Sequence, residues 1–272
     1  MQLSISVRIA EGFLSKENAI LSLEEVADLA TNAGYDAICM RASQVGVQSS
    51  TEAVDQAAEI LKRHRLPVSM LTGDFDIVYN NDQGPNCLRD IEPFLQLAER
   101  LGAPLLRVAL KQEEDIAWAQ RAADQAAERN LKLAHQCHTL SLFETVDGIE
   151  STLRAIDRKN FGLIFEPANL EICGQDYGAE TIQRLAPWIF NVYLQNQILR
   201  PEGSVTLNTW CRGEVSFDII QIHDPGGVRV DEVKRGLDSI GYDGTITVHQ
   251  CAPDGQTPQE SAAATAAFLR SL

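Results

Sequence analysis

The chain has 272 residues, 44% of them hydrophobic and 22% charged, which is a globular balance at a length common for one α/β barrel. Its formal net charge of −15, with no dense Lys/Arg run, counts against nucleic acid as a partner, because a phosphate-tracking surface needs a basic face. No stretch approaches the roughly 20 apolar residues that cross a bilayer. The opening "MQLSISVRIAEG" lacks the basic-then-apolar order of a signal peptide, and the six cysteines contain no C-x-x-C pair. A reduced cytoplasmic setting without a membrane partner is therefore expected.

Short β-branched runs alternate with amphipathic stretches from end to end. Strands are predicted at 3–9, 36–42, 67–72, 104–110, 131–137, 161–166, 189–195 and 244–250. Helices are predicted at 22–33, 51–64, 87–101, 113–129, 147–157, 178–186, 230–240 and 257–271. Ser22 with Glu25, Asp147 with Glu150 and Thr257 with Glu260 have capping-box spacing, and Pro258 takes a first helical position. Pro93 predicts a kink or a later start in the third helix. The phrases "AGYDAICM" (33–40) and "IGYDGTITV" (240–248) repeat one helix–Gly–strand junction. Eight such units without a Pro/Gly-rich linker predict a single (β/α)8 TIM barrel over residues 1–272. An open doubly wound sheet is less suited, since no Gly-rich turn follows the first strand.

In such a barrel the active site forms at the C-terminal strand ends. The last four strands end in "AHQCH", "FEPAN", "VYLQN" and "TVHQ". Alternation places Gln136 with His138, Tyr193 with Gln195 and Thr247 with His249, while His135 and Cys137 point to the helix layer. Glu166 is the only carboxylate at these four ends.

These motifs, with "LGAPLLRV" (101–108) and "LIFEPANLEICG" (163–174), resemble the xylose isomerase-like TIM barrels, the sugar phosphate isomerase/epimerase group. The resemblance covers nearly the whole chain. It implies a ring of four ligands for one divalent metal (Mn, Zn or Mg), and here the chain departs from the pattern. The fifth-strand Glu falls on Gln136, the sixth-strand acid on Glu166, the seventh-strand His on Tyr193 and the eighth-strand Glu on His249. Cys39 stands where the second strand usually has Glu, and Asn169 and Asn196 replace a His and an acid. Gln136, Glu166 and His249 remain as candidate metal ligands. An amide carries no charge, so the set suits Mg²⁺ poorly and suits N/O ligation of Zn²⁺, Mn²⁺ or Ni²⁺ better.

The resemblance implies a small-carbohydrate isomerase or epimerase with Glu166 and His249 as catalytic residues. A neutral His beside an ionised Glu is expected to have its pKa raised. Arg41 and Arg107 are candidates for a substrate carboxylate or phosphate, with His138, Asn169, Tyr193, Gln195 and Asn196 as further substrate-binding residues. Asp74 and Asp76 are reserve acids or an Asx cap. Three alternatives stand beside this reading. They are a non-catalytic sugar-binding barrel, favoured by the amide-rich rim; a sugar-acid or inosose dehydratase; and an endonuclease of the same fold, which the charge disfavours. The segment 196–217 is too long for a turn, and its Trp210 and Phe217 either cover the chain's own pocket or meet a second subunit in a homo-oligomer.

Overall fold

The structure, a computed structural model, describes residues 1–12 and 15–272. Eight parallel strands close into a barrel. They are β1 (Gln2–Ser6), β2 (Ala37–Arg41), β3 (Val68–Thr72), β4 (Leu105–Val108), β5 (Lys132–Gln136), β6 (Phe161–Phe165), β7 (Ile189–Leu194) and, after three short strands outside the barrel, β11 (Thr245–Val248). β11 closes the ring between β7 and β1, in register from Gln2↔Thr245 to Ile5↔Val248. Most of these strands are buried on both faces, which is why they read as near-continuous apolar runs such as "AICMR". Small and medium side chains fill the barrel, among them Cys39, Met70, Leu105, Ala134, Ile164 and Tyr193.

The surrounding helices are α1 (Leu23–Asn32), α2 (Thr51–Arg63), α3 (Phe75–Tyr79), α4 (Asn86–Arg89), α5 (Glu92–Leu101), α6 (Glu114–Ala127), α7 (Val146–Ile156), α8 (Pro167–Ile172), α9 (Ala179–Leu185), α10 (Val230–Ser239) and α11 (Pro258–Ser271). Capping boxes at Ser22/Glu25 and Thr257/Glu260 form as their spacing predicts, and Pro258 sits at the start of α11. The predicted helix 87–101 is two helices: α4 ends before Asp90, and Pro93 lies in the first turn of α5. Asp147 does not cap α7. Thr145, in extended conformation, accepts from Gly148 N instead, and Asp147 faces Arg184 at 2.7 Å. Among the described residues no helix is long and apolar enough to cross a membrane.

Most barrel strands are shorter than predicted, and the difference matters for the site. Residues 7–10 form a 3-10 turn, capped by the Ser6 hydroxyl, which accepts from Arg8 N. Glu166 lies one residue past β6, as the N-cap of α8, with Pro167 enforcing the start of that helix. The segment after β7 is a separate three-stranded antiparallel sheet of β8 (Gln197–Leu199), β9 (Val205–Thr209) and β10 (Gly213–Ile219), in the order β8-β10-β9. Its inner face, with Val215 and Phe217, packs on Ile172 of α8, so the sheet lies over the mouth of the barrel.

Candidate active site

A cavity of about 280 Å³ opens at the C-terminal strand ends beneath the β9–β10 hairpin. Ser204 to Leu207 and Phe217 form its roof, while Arg41, Arg107, Gln136, Glu166 and His249 line it from the barrel. Phe217 is buried and Trp210 is exposed, so the hairpin covers the chain's own cavity with the first and presents the second to solvent. A larger groove of about 460 Å³ beside α10 and α11 is lined mainly by aliphatic residues such as Leu3, Val230 and Leu237. Among the described residues no imidazole or side-chain carboxylate lines that groove, so the smaller cavity is the candidate active site.

Glu166 is the carboxylate at the centre of this arrangement, and it is 2% exposed. Gln136 Nε2 donates to its Oε2, as does Asn169 Nδ2 at 2.8 Å, and the same Asn169 amide reaches Cys137 O at 2.7 Å. Both amides converge on one oxygen, which leaves Oε1 for a ligand. Burial pushes the Glu166 pKa up to about 7, against the opposing pull of the Gln136 hydrogen bond and of Arg107, Lys16 and Arg41.

His249 does not meet Glu166. Its Nε2 accepts from Arg41 Nη1 at 3.1 Å, and its ring stacks on Tyr193 with centroids 3.8 Å apart and planes 7° from parallel. Burial, then the Arg41 and Arg107 charges, hold its pKa well below the ordinary imidazole value. This corrects the expectation of a raised pKa: the neighbour is a guanidinium, not a carboxylate. The His249 ring is neutral at physiological pH, with its acceptor nitrogen occupied.

The other predicted residues fall into three places. Gln136, His138, Asn169, Gln195, Arg41 and Arg107 line the cavity with Glu166 and His249. Tyr193 is fully buried beneath His249, with its hydroxyl and the Cys39 thiol hydrogen-bonded at 3.3 Å, and it does not line the cavity. Asn196 is also outside it: its amide donates to Gln221 O and Asp224 O, and its Oδ1 accepts from Val228 N at 2.8 Å. Asn196 thereby clamps the loop before α10. Gly227 makes room for that clamp, since a Cβ there would run into Asn196 Oδ1. His135 faces outward as expected, with Nδ1 donating to Val108 O at 2.8 Å and its edge against Phe143. Asp74 caps α3 by accepting from Ile77 N.

Arg8 and Lys16 at the cavity, and Glu11 bound to Arg41, escape the sequence reading. Glu11, buried just past the 3-10 turn, accepts from Arg41 Nε at 2.8 Å and from Ser43, and pairs with Arg8 at 3.4 Å. Lys16 reaches the cavity beside Tyr79, and burial with the Arg8, Arg41 and Arg107 charges lowers its pKa to about 7. The only signal for Arg8 and Glu11 is position, since "VRIAEG" (7–12) runs off the end of the first strand; Lys16 lies beyond it.

The xylose isomerase-like TIM barrel family model matches residues 27–272. The chain belongs to the xylose isomerase-like TIM barrel family. Comparison with curated proteins found no match. Among solved structures, the chain is similar to the probable 3-DHS dehydratase AsbF of Bacillus anthracis (16% identity, 99% of each chain, TM-score 0.74). It is also similar to an IolI protein with bound zinc (16% identity, 98% of this chain and 97% of that one, TM-score 0.72). A third is the D-allulose 3-epimerase of Methylomonas sp. (16% identity, 100% and 97%, TM-score 0.70). At these identities the likeness is one of fold.

A divalent metal of the kind this xylose isomerase-like family implies does not fit the donors present. Of the four ligand positions, Gln136 turns its N–H toward Glu166, Tyr193 is buried against Cys39, and His249 has its acceptor nitrogen on Arg41. Glu166 is the one carboxylate left, and Arg107, Lys16 and Arg41 act on it electrostatically. Among the described residues, three metal-ligating groups come within 4.8 Å of one another only at Glu144, Cys173 and Cys211, outside the cavity.

Proposed function

We propose that this chain is a sugar isomerase or epimerase that moves a proton on a small carbohydrate, with Glu166 as the acid/base group. The observation that carries this reading is a buried carboxyl group with a pKa near 7, one oxygen fixed by two amides and the other open to a roofed cavity. In its ionised form Glu166 takes the proton from a carbon next to the substrate carbonyl, and the C–H electron pair forms the enediolate. The Arg41 and Arg107 N–H groups stabilise the negative oxygen. The acquired proton exchanges with solvent on the Glu166 carboxyl; delivery of a proton from Glu166 to the neighbouring carbon, with the hydroxyl proton passing from one enediolate oxygen to the other, completes an isomerisation. Inversion of a centre needs a second group on the other face, and Lys16, also poised near 7, is the group in the cavity able to supply it. No step runs through a metal.

Similarity to a named D-allulose 3-epimerase supports this class. A dehydratase of the kind named for the Bacillus anthracis neighbour would begin with the same proton abstraction, so Glu166 has the same role in both. The test is proton NMR in D2O over a panel of aldoses and ketoses. Wild type is expected to exchange one carbon-bound hydrogen for deuterium, with Glu166→Gln slower by at least about 100-fold. No exchange by wild type on any sugar would remove the enzyme reading and leave a binding barrel.

A further inference from the structure

Among the described residues, the cations around the cavity outnumber the carboxylates. Arg107 is 2% exposed, makes no hydrogen bond or salt bridge to any described residue, and has a buried Nε without a partner. Arg41 is 1% exposed; its Nε is taken by Glu11 and its Nη1 by His249, while its Nη2 is buried and unpartnered. Lys16 adds a third charge at the same opening. Against Arg8, Lys16, Arg41 and Arg107 the site sets two carboxylates. Glu11 is already committed to Arg8 and Arg41, and Glu166 to two amides. A buried guanidinium without a hydrogen-bonded counter-charge is costly, and a fold keeps one where a ligand completes it. Arg is suited to this because its planar fork accepts carboxylate or phosphate oxygens in pairs.

We infer that the cavity is an oxoanion site: it takes an acidic carbohydrate, whose carboxylate or phosphate docks on Arg107 and the free Nη2 edge of Arg41. The anion then lies where the family pattern would place a cation. This deepens the proposed function by naming the substrate class, and it rests on that reading only for the word carbohydrate. The roof fits the assignment. Val205 and Leu207 help to close the cavity over the ligand, while the Ser204 and Thr206 hydroxyls are held by Asp218 and Ser216 within the hairpin.

The test uses the full chain, titrated by calorimetry and thermal shift with inorganic phosphate, D-glucuronate, D-glucose 6-phosphate, D-glucose and Mn²⁺. The expected result is that at least one of the three anions binds at least tenfold more tightly than D-glucose and raises Tm, while Mn²⁺ alone raises it no further than Mg²⁺ does. Glucuronate against glucose 6-phosphate separates carboxylate from phosphate as the docked group. Arg107→Met is expected to fold and to melt at a higher temperature than wild type, because it removes an unpaired buried charge, and to lose the preference for anions. Arg107→Lys is expected to keep part of it. D-Glucose bound as tightly as every anion, an anion preference unchanged in Arg107→Met, or stoichiometric Mn²⁺ binding in the cavity would each overturn the inference. Anion binding without turnover of any sugar supports it and removes the isomerase reading. Turnover of neutral sugars with no anion preference does the reverse.

Discussion

Glu166 couples the chemistry of the cavity to the stability of the chain. Its carboxyl is raised from an ordinary 4.5 to about 7 by burial. Between those values the folded chain keeps a proton that the unfolded chain releases, so stability falls as pH rises. The loss approaches its full size above pH 7 and is at most roughly 3 kcal/mol. Urea unfolding at pH 5 and pH 8 should therefore show a steeper loss in wild type than in Glu166→Gln, which has no proton to give up. Equal slopes would mean that Glu166 ionises normally in the fold. Activity should move the other way, rising through pH 7 as the base form appears. Alternation along the strands made Gln136, His138, Gln195 and His249 readable as neighbours of Glu166 from the sequence. Glu11 and Lys16 were not readable in that way, because the turn at 7–10 breaks the period of two before either is reached. The direction of the His249 shift was hidden for a related reason: Arg41 enters from β2, 208 residues away in the chain, and only the closed ring sets the two side by side.

At the scale of elements, the hairpin is the part that sequence periodicity describes least. Its strands alternate half-buried and exposed residues over a short length, and its partners, Ile172 of α8 and the β5–α7 loop, are distant in the chain. Helix caps are local, so Ser22 and Thr257 are legible; the hairpin's anchor is not. That anchor is Glu144, a buried carboxylate that accepts from Leu140 N at 2.9 Å, Trp210 N at 2.8 Å and Cys211 N at 2.9 Å. Two of those donors are at the hairpin tip, so removing the carboxylate takes the partner from two part-buried N–H groups, at a cost below the about 1–3 kcal/mol of a fully buried one. Glu144→Ala is expected to release the tip without unfolding the barrel. Hydrogen exchange should then accelerate at least tenfold across 205–219 while β5 and β6 stay protected. Uniform acceleration across the barrel would show instead that Glu144 belongs to the global core. Since the hairpin roofs the cavity, the same variant should bind ligand more weakly.

On the scale of the whole molecule, the eightfold strand–helix repeat was legible because each unit carries an apolar strand and several helices end on a Gly stop, at Gly34, Gly102 and Gly241; closure follows from burying both faces of a parallel sheet. The charge distribution was legible only as a total. The chain carries a net −15, yet the cavity concentrates Arg8, Lys16, Arg41 and Arg107. An anionic ligand therefore approaches through a repulsive outer field before it meets an attractive inner one. Salt acts on these unequally: the Debye length falls from about 30 Å at 0.01 M to about 8 Å at 0.15 M, which removes the long-range repulsion first. Contacts inside the roofed cavity are screened much less. The association rate constant for D-glucuronate, from NMR line shapes, is thus expected to rise several-fold over that range of ionic strength. Phosphate-binding proteins with basic surfaces show the opposite sign, because screening weakens their steering. A rate that falls with salt here would mean that the field of the four cavity cations reaches solvent and overrides the acidic exterior. D-Glucose, being neutral, serves as the control, and its association rate should not change.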